Sequence, residues 1–362
     1  MSARRRSGSS SAAGARGPGA SAASGGGRLA RALVAAGLLV AVALTLAFRY
    51  GTERMWWVEI ARYAPYPAYL VPAVLLLALA WRLGWAWRGA ALLALLLVVS
   101  EVMGLSIGRA DEGSDRVRLM TYNIKAYLAW QRPDGFARLA WEVQDADADV
   151  IVMQDAGAVA SHREQAAPLF AALAGRQTYV EDQYIVASRF PLKACAPARM
   201  AASEAPDAVY VRCTLTVHGR DVDVFTAHFV SPREGLNAAR GRVGGGLEAW
   251  ESNFEDRLAQ AGQLMSGLVK TSRPLIVAGD LNAEENSPVV RRLLSLGLRD
   301  AFDSAGLGYG YTYGHDLRPG FSFLRIDHVL VSEAIGVQAC RVGGREGSQH
   351  RPVIADLLIG RR

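Results

Sequence analysis

Three long apolar runs lie before residue 108, and they restrict the fold more than any other feature of the chain. Residues 32–48 and 63–81 carry no charge, and residues 89–108 carry one, Glu101. Each run approaches the roughly 20 residues that a helix needs to cross a bilayer. A signal peptide accounts poorly for the first run, because two more follow after short connections. Buried soluble helices account poorly for the others, because such a hairpin needs a charged face to meet water. The sequence therefore predicts three transmembrane helices within residues 29–108. Residues 1–28 are mostly Ser, Ala, Gly and Arg, have almost nothing to bury, and read as a disordered basic tail.

Charge sets the expected orientation. Arg4, Arg5, Arg6, Arg16, Arg28 and Arg31 precede or open the first run, with no acid among them. That places the N-terminus in the cytoplasm and, after three spans, everything beyond a 109–116 linker on the outer face. Trp56, Trp57, Tyr63, Tyr66 and Tyr69 then read as residues of the outer interfacial belt. The net charge of +6 owes much to the tail, so it is weak support for nucleic-acid binding by the rest. Cys195, Cys213 and Cys340 form neither a disulfide framework nor a zinc spacing. One pair could bridge in an oxidising compartment, and the sequence does not say which.

From residue 117 the pattern becomes that of strands, and most of them deliver a polar residue at one end. VRLMTYNI (117–124) ends near Asn123, and DVIVMQ (149–154) runs into Asp155. The hairpin 208–227, turning at Gly219, leads to His228. VAGDLN (277–282) presents Asp280 and Asn282 two positions apart, on one face of a strand. FSFLRIDHVLV (321–331) carries Asp327, and His350 sits in the turn before the last strand. Singly, each is explained by a turn. Together they are three carboxylates, two carboxamides and two imidazoles that converge if the strands share one edge, and such oxygen ligands suit Mg²⁺ or Mn²⁺. Helices are expected over 136–142, 164–173, 251–269 and 288–296. The glycine-rich 231–247 is expected to be a long mobile loop beside His228. Frequent strands, antiparallel hairpins and fewer helices argue for an α+β domain with packed sheets and helices outside.

In their order, TYNI, VIVMQD, TAHF, VAGDLN, RIDHVLVS and SQHRPV resemble the endonuclease/exonuclease/phosphatase superfamily over residues 117–359. The resemblance implies a DNase I-like four-layered α/β sandwich over residues 117–362. It also implies hydrolysis of a phosphate ester or anhydride with Mg²⁺ (or Mn²⁺). Asn123 would lie near metal and phosphate, Asp155 would bind the metal, and His228 would contact phosphate. Asp280 would orient or deprotonate the attacking water, and Asn282 would hold a phosphate oxygen. Asp327 would orient His350, which would act as general base or as a charged phosphate stabiliser. Two positions depart from the pattern: Asp155 replaces the usual Glu, and Gln349 replaces an Asp, so metal binding should weaken. Three spans followed by an outward domain resemble VanJ-like teicoplanin-resistance proteins. That resemblance implies a bacterial inner-membrane protein acting on a lipid-linked or cell-envelope phosphate, for example undecaprenyl diphosphate. A nuclease would want a basic, aromatic-lined groove. Nothing denser than Arg233, Arg240 and Arg242 offers one, so nucleic acid is the less favoured partner. A degenerate surface-binding protein is the remaining alternative.

Overall fold

The computed structural model describes residues 19–199, 209–241, 245–317 and 320–361. Helix α1 (Gly19–Tyr50) starts earlier than expected. Residues 19–28 of the presumed tail are helical, and the rest of that tail lies outside the described residues. The apolar part of α1, Gly25–Tyr50, is long enough to cross a membrane. The second run breaks in two: α2 (Trp56–Arg62) and α3 (Pro67–Ala80) meet at a 75° bend. Pro65 and Pro67 sit at the break, where they cannot continue the helical hydrogen bonds. At 1.5 Å per residue, the 14 residues of α3 reach only about 21 Å, short of a hydrocarbon core of about 30 Å. Helix α4 (Trp85–Leu97) continues as a π-turn (Val98–Val102), and the two together can span. Glu101 lies in that turn and is ion-paired with Arg49 at 3.0 Å. Among the described residues two helices are therefore long and apolar enough to cross, and a third span exists only if the bent pair counts as one. The belt expectation also changes: Tyr63 and Tyr66 are buried, packed with Trp250, Phe323 and Ile326 of the later domain.

That domain has eleven main strands: β1 (Gly113–Asn123), β2 (Val150–Gln154), β3 (Gln177–Glu181), β4 (Tyr184–Ser188), β5 (Leu192–Ala198), β6 (Tyr210–Val217), β7 (Arg220–His228), β8 (Leu275–Asp280), β9 (Asp327–Val331), β10 (Gly336–Val342) and β11 (Val353–Arg361). One sheet has the order β10-β11-β1-β2-β4-β3. The other has β9-β8-β7-β6-β5, extended at its β9 edge by Arg299–Asp300. Val117, Leu119, Val150 and Val186 of the first sheet meet Val211, Val224, Ile276 and Val329 of the second. Helix α5 (Gly135–Ala146) covers the outer face of the first sheet. The 24-residue helix Gly245–Leu268 covers the second. This is the α+β sandwich of two sheets between helices that the strand pattern and the resemblance imply.

Within this domain three expectations change. β3 and β5 lie outside the expected strands; neither has a fully buried residue or clean alternation, and β5 carries Pro197, as edge strands tolerate. The strand expected from residue 321 starts at Asp327, because the chain before it is irregular, with Tyr313 bridging both Leu324 and His350. The glycine-rich 231–247 is not a loop where described: Arg233–Gly241 is helical and Gly245 opens the long helix. Gly235 serves close packing there, since a Cβ would stand 3.2 Å from Trp250 Cα.

A buried ionic network braces the segment before Asp327 against the segment after Asn282. Arg325 is 2% exposed and pairs with Glu285, Asp300 and Asp303, while its main-chain N donates to Glu284. His328, the neighbour of Asp327, points into this network: Nδ1 meets Asp300 at 3.0 Å and Nε2 meets the Ala283 carbonyl at 2.9 Å. Arg325→Met leaves the buried Asp300 carboxylate without its guanidinium. It should lower stability by about 3–5 kcal/mol, read as a fall in thermal midpoint of the detergent-solubilised protein.

Candidate active site

Strand register builds the site. β8 runs antiparallel to β9 with Asp280 opposite Asp327, and parallel to β7 with His228 opposite Asp280. β1 and β2 end level, Asn123 opposite Gln154, so that Asp155 follows at the same edge. Two bonds tie the sheets together there: Asn123 Nδ2 donates to Asp280 Oδ2, and Gln154 Nε2 to Thr226 Oγ1, both at 2.8 Å. Gly279 is required for this fit, because a Cβ would lie 2.0 Å from the Ala227 carbonyl oxygen.

The centre is Asp280 Oδ2. His228 Nε2 faces it at 3.6 Å and His350 Nε2 at 3.7 Å. Asp280 Oδ1 accepts from the Asn282 main-chain N at 2.9 Å. His350 Nδ1 lies 2.9 Å from Asp327 Oδ2, and His228 Nδ1 lies 2.5 Å from Gln183 Oε1. Both partners accept, so the hydrogen-bond network assigns the proton to each Nδ1 and turns each Nε2 toward Asp280. Burial pulls the His350 pKa down, but Asp327 and Asp280 outweigh it and hold the pKa above the ordinary 6.5. Burial lowers that of His228, with Lys125 and His350 adding to the effect against Asp280. Two imidazoles driven apart in this way suit different proton-handling roles. The Tyr313 ring packs 4.8 Å from the His350 ring, and Arg233 bonds the Tyr313 hydroxyl.

All seven expected site residues lie at this edge, with Asn282 buried behind Asp280 and its Nδ2 donating to the Phe229 carbonyl at 2.8 Å. The second motif carries a partner that the sequence reading missed. Lys125 Nζ lies 2.7 Å from Asp155 Oδ2. Burial works against the ammonium, but Asp155 and Asp280 more than offset it and raise its pKa. Lys125 and Asp155 both take left-handed backbone conformations, φ 42° and 57°, and Ala126 N bonds the Asp155 carbonyl at 2.9 Å. These two turns bring the lysine to the carboxylate, a placement that residue type and spacing alone do not signal. Gln349 Oε1 accepts from Arg233 Nη2 at 3.4 Å. Neither Asp356, which pairs with Arg118 at 2.8 Å, nor the exposed Glu346 stands in for the missing carboxylate.

Asp280, Asp327 and His350 each place a ligand atom within 4.8 Å of the others, a buried group that could hold a metal ion. Asp327 Oδ1 is buried without a hydrogen-bond partner, a free anionic oxygen of the kind a hard cation takes. The donor set therefore fits a divalent cation at Asp280 and Asp327. Asp155, the expected ligand, is instead engaged by Lys125.

Residues 120–350 match the Endonuclease/Exonuclease/phosphatase family, and the chain belongs to it. No curated protein sequence matches the chain. Among solved structures, the chain is similar to a family protein from Leptotrichia buccalis (16% identity, 67% of this chain and 99% of that one, TM-score 0.51). It is also similar to one from Bacteroides vulgatus (19% identity, 67% and 98%, TM-score 0.50). A Neisseria 3′ phosphatase bound to product DNA hairpin is a further likeness (18% identity, 66% and 98%, TM-score 0.49). At these identities the likeness is one of fold.

Proposed function

We propose that the protein is a membrane-anchored phosphohydrolase acting on a lipid-linked or other cell-envelope phosphate ester or anhydride. The observation that carries this reading is one continuous apolar cluster. Ala41, Ala73, Ala94 and Val98 of the membrane helices pack with Phe323, Leu324 and Ile326, which lead into Asp327, and with Tyr313, which touches His350. A headgroup phosphate at Asp280 would thus lie close to the bilayer that holds its apolar tail. In this reading Asp280 orients a water and His350 Nε2 takes its proton, with Asp327 fixing the ring. Lys125 meets the phosphate oxygens, and Asn282, its Nδ2 bonded to the Phe229 carbonyl, holds the turn that carries Asp280. Mg²⁺ or Mn²⁺ held by Asp280 and Asp327 would polarise a phosphoryl oxygen and offset leaving-group charge.

Purified full-length protein in detergent tests this with undecaprenyl diphosphate, a phospholipid and plasmid DNA, each with and without Mg²⁺ or Mn²⁺. Phosphate release from one lipid substrate is the expected result. Nicked DNA would make it a nuclease, and no turnover of any substrate would favour a binding protein that has lost catalysis.

The reading also puts the catalytic domain on the outer face and the N-terminus in the cytoplasm. Its support is the Cys195–Cys213 disulfide, which joins β5 to β6, since such bonds persist in oxidising compartments. After denaturing acid quench of cells, both cysteines should resist alkylation until reductant is added. Alkylation of both without reductant would place the domain inside.

A further inference from the structure

We propose that α2, the short first half of the bent apolar pair, is part of the catalytic apparatus. Tyr63, which closes it, acts with Arg257 to clamp the main-chain carbonyl of Asn282 and so positions the Asp280–Asn282 turn. The inference rests on the reading of Asp280 and Asn282 as working residues.

Trp56, Glu59 and Tyr63 are spaced i, i+3, i+7, one face of a helix. All three meet the catalytic domain. Trp250 Nε1 donates to the Trp56 carbonyl at 3.1 Å, Ser287 Oγ to Glu59 Oε2 at 3.1 Å, and the Tyr63 hydroxyl to the Asn282 carbonyl at 2.6 Å. Arg257 Nη1 donates to the same carbonyl at 2.9 Å and also bonds the Tyr63 hydroxyl. Arg257 is fully buried, and among the described residues it has no ion-pair partner. Its charge is instead met by the ring faces of Trp250, Tyr63 and Phe254, at 5.4, 5.5 and 5.7 Å. Burying a guanidinium without a carboxylate is unfavourable, and here Nη1 serves the Asn282 carbonyl and the Tyr63 hydroxyl, Nε reaches the Asn253 carbonyl at 3.5 Å, and the buried Nη2 has no partner among the described residues. Asn282 is in the left-handed region, φ 48°, a conformation that surrounding contacts must hold. Its N–H is fixed by Asp280 Oδ1 and its C=O by Tyr63 and Arg257. Both ends of the residue are thereby set, and with them the carboxylate of Asp280. Residues 117–362 alone lack Tyr63, so the membrane segment does more than tether the site.

The test uses full-length protein in nanodiscs of phosphatidylethanolamine and phosphatidylglycerol, with Tyr63→Phe, which keeps the ring and removes the hydroxyl. Tyr179→Phe is the control, because it loses a hydroxyl bond, 3.0 Å to Glu181 Oε2, on the edge strand β3, away from α2 and the turn. Hydrogen–deuterium exchange over residues 280–287 should quicken about fivefold in Tyr63→Phe, as loss of one net hydrogen bond implies, with residues 150–154 unchanged and the control like wild type. For the substrate that the wild type turns over, kcat should fall about five- to tenfold with KM unchanged. Unchanged exchange over 280–287, or altered exchange with unaltered kcat, overturns the proposal. Faster exchange in a protein that hydrolyses no phosphate leaves the clamp standing and removes the phosphohydrolase reading instead.

Discussion

His350→Ala is expected to lower kcat for phosphate release by about 10²–10⁴-fold, the range for losing a positioned general base, while the fold survives. The geometry makes His350 the group with most to lose. It is 2% exposed, its Nδ1 is fixed by Asp327, and its Nε2 faces Asp280. Neighbouring carboxylates hold its pKa above 6.5 against the opposing effect of burial. The sign for activity follows from that direction. A general base works deprotonated, so the wild-type rate should rise with pH through the His350 pKa, and the residual rate of His350→Ala should lack that limb. A rate that falls with rising pH over the same range would make the imidazolium, and not the base, the working form. For stability the sign is opposite. A folded pKa above the unfolded one stabilises the fold fully below about 6.5, the unfolded histidine value, and that contribution is lost as pH rises through the folded pKa. Asp327→Asn should reproduce part of the kinetic loss, because it leaves Nδ1 without the carboxylate that sets the ring.

The residues that make this centre were readable in the sequence because strand ends are periodic objects. Alternation in VAGDLN and the apolar run DVIVMQ fix where each strand must stop, and so where Asp280 and Asp155 must stand. What the strands bring together depends on register, which alternation does not give: Asp280 opposite both Asp327 and His228 is a fact of pairing. The misreadings share a physical origin. Apolar composition over 63–81 looks the same whether the helix is straight or broken, and only the tertiary partners of Tyr63 and Tyr66 show that the segment turns onto the domain. Glycines over 231–247 look like mobility, yet Gly235 is small so that one helix can press on Trp250. Left-handed turns are equally silent in sequence when they fall on Lys, Asp and Asn, and those turns aim Lys125 and Asn282.

Lys125→Ala is expected to change both the rate and the metal affinity of the site, in opposite directions. Lys125 Nζ stands 2.7 Å from Asp155, and its raised pKa keeps it charged at neutral pH. In the proposed mechanism this ammonium faces incoming phosphate oxygens, and removing such a preorganised donor should lower kcat by about 10²–10³-fold. The same ammonium competes with any cation for the Asp155 carboxylate. Two like charges in a partly buried site repel by more than about 1 kcal/mol at an intermediate dielectric, so the variant should bind Mn²⁺ about tenfold more tightly than wild type. Electron paramagnetic resonance of free Mn²⁺ reads this without any turnover. Lys125→Arg separates the two effects: it keeps the charge, so Mn²⁺ affinity should stay near the wild-type value. Equal Mn²⁺ affinity in wild type and Lys125→Ala would mean that Asp155 lies outside the metal's reach, and that its only partner is the lysine. Tighter binding together with a lost rate would show that Lys125 restrains metal binding at Asp155 while serving the phosphate directly.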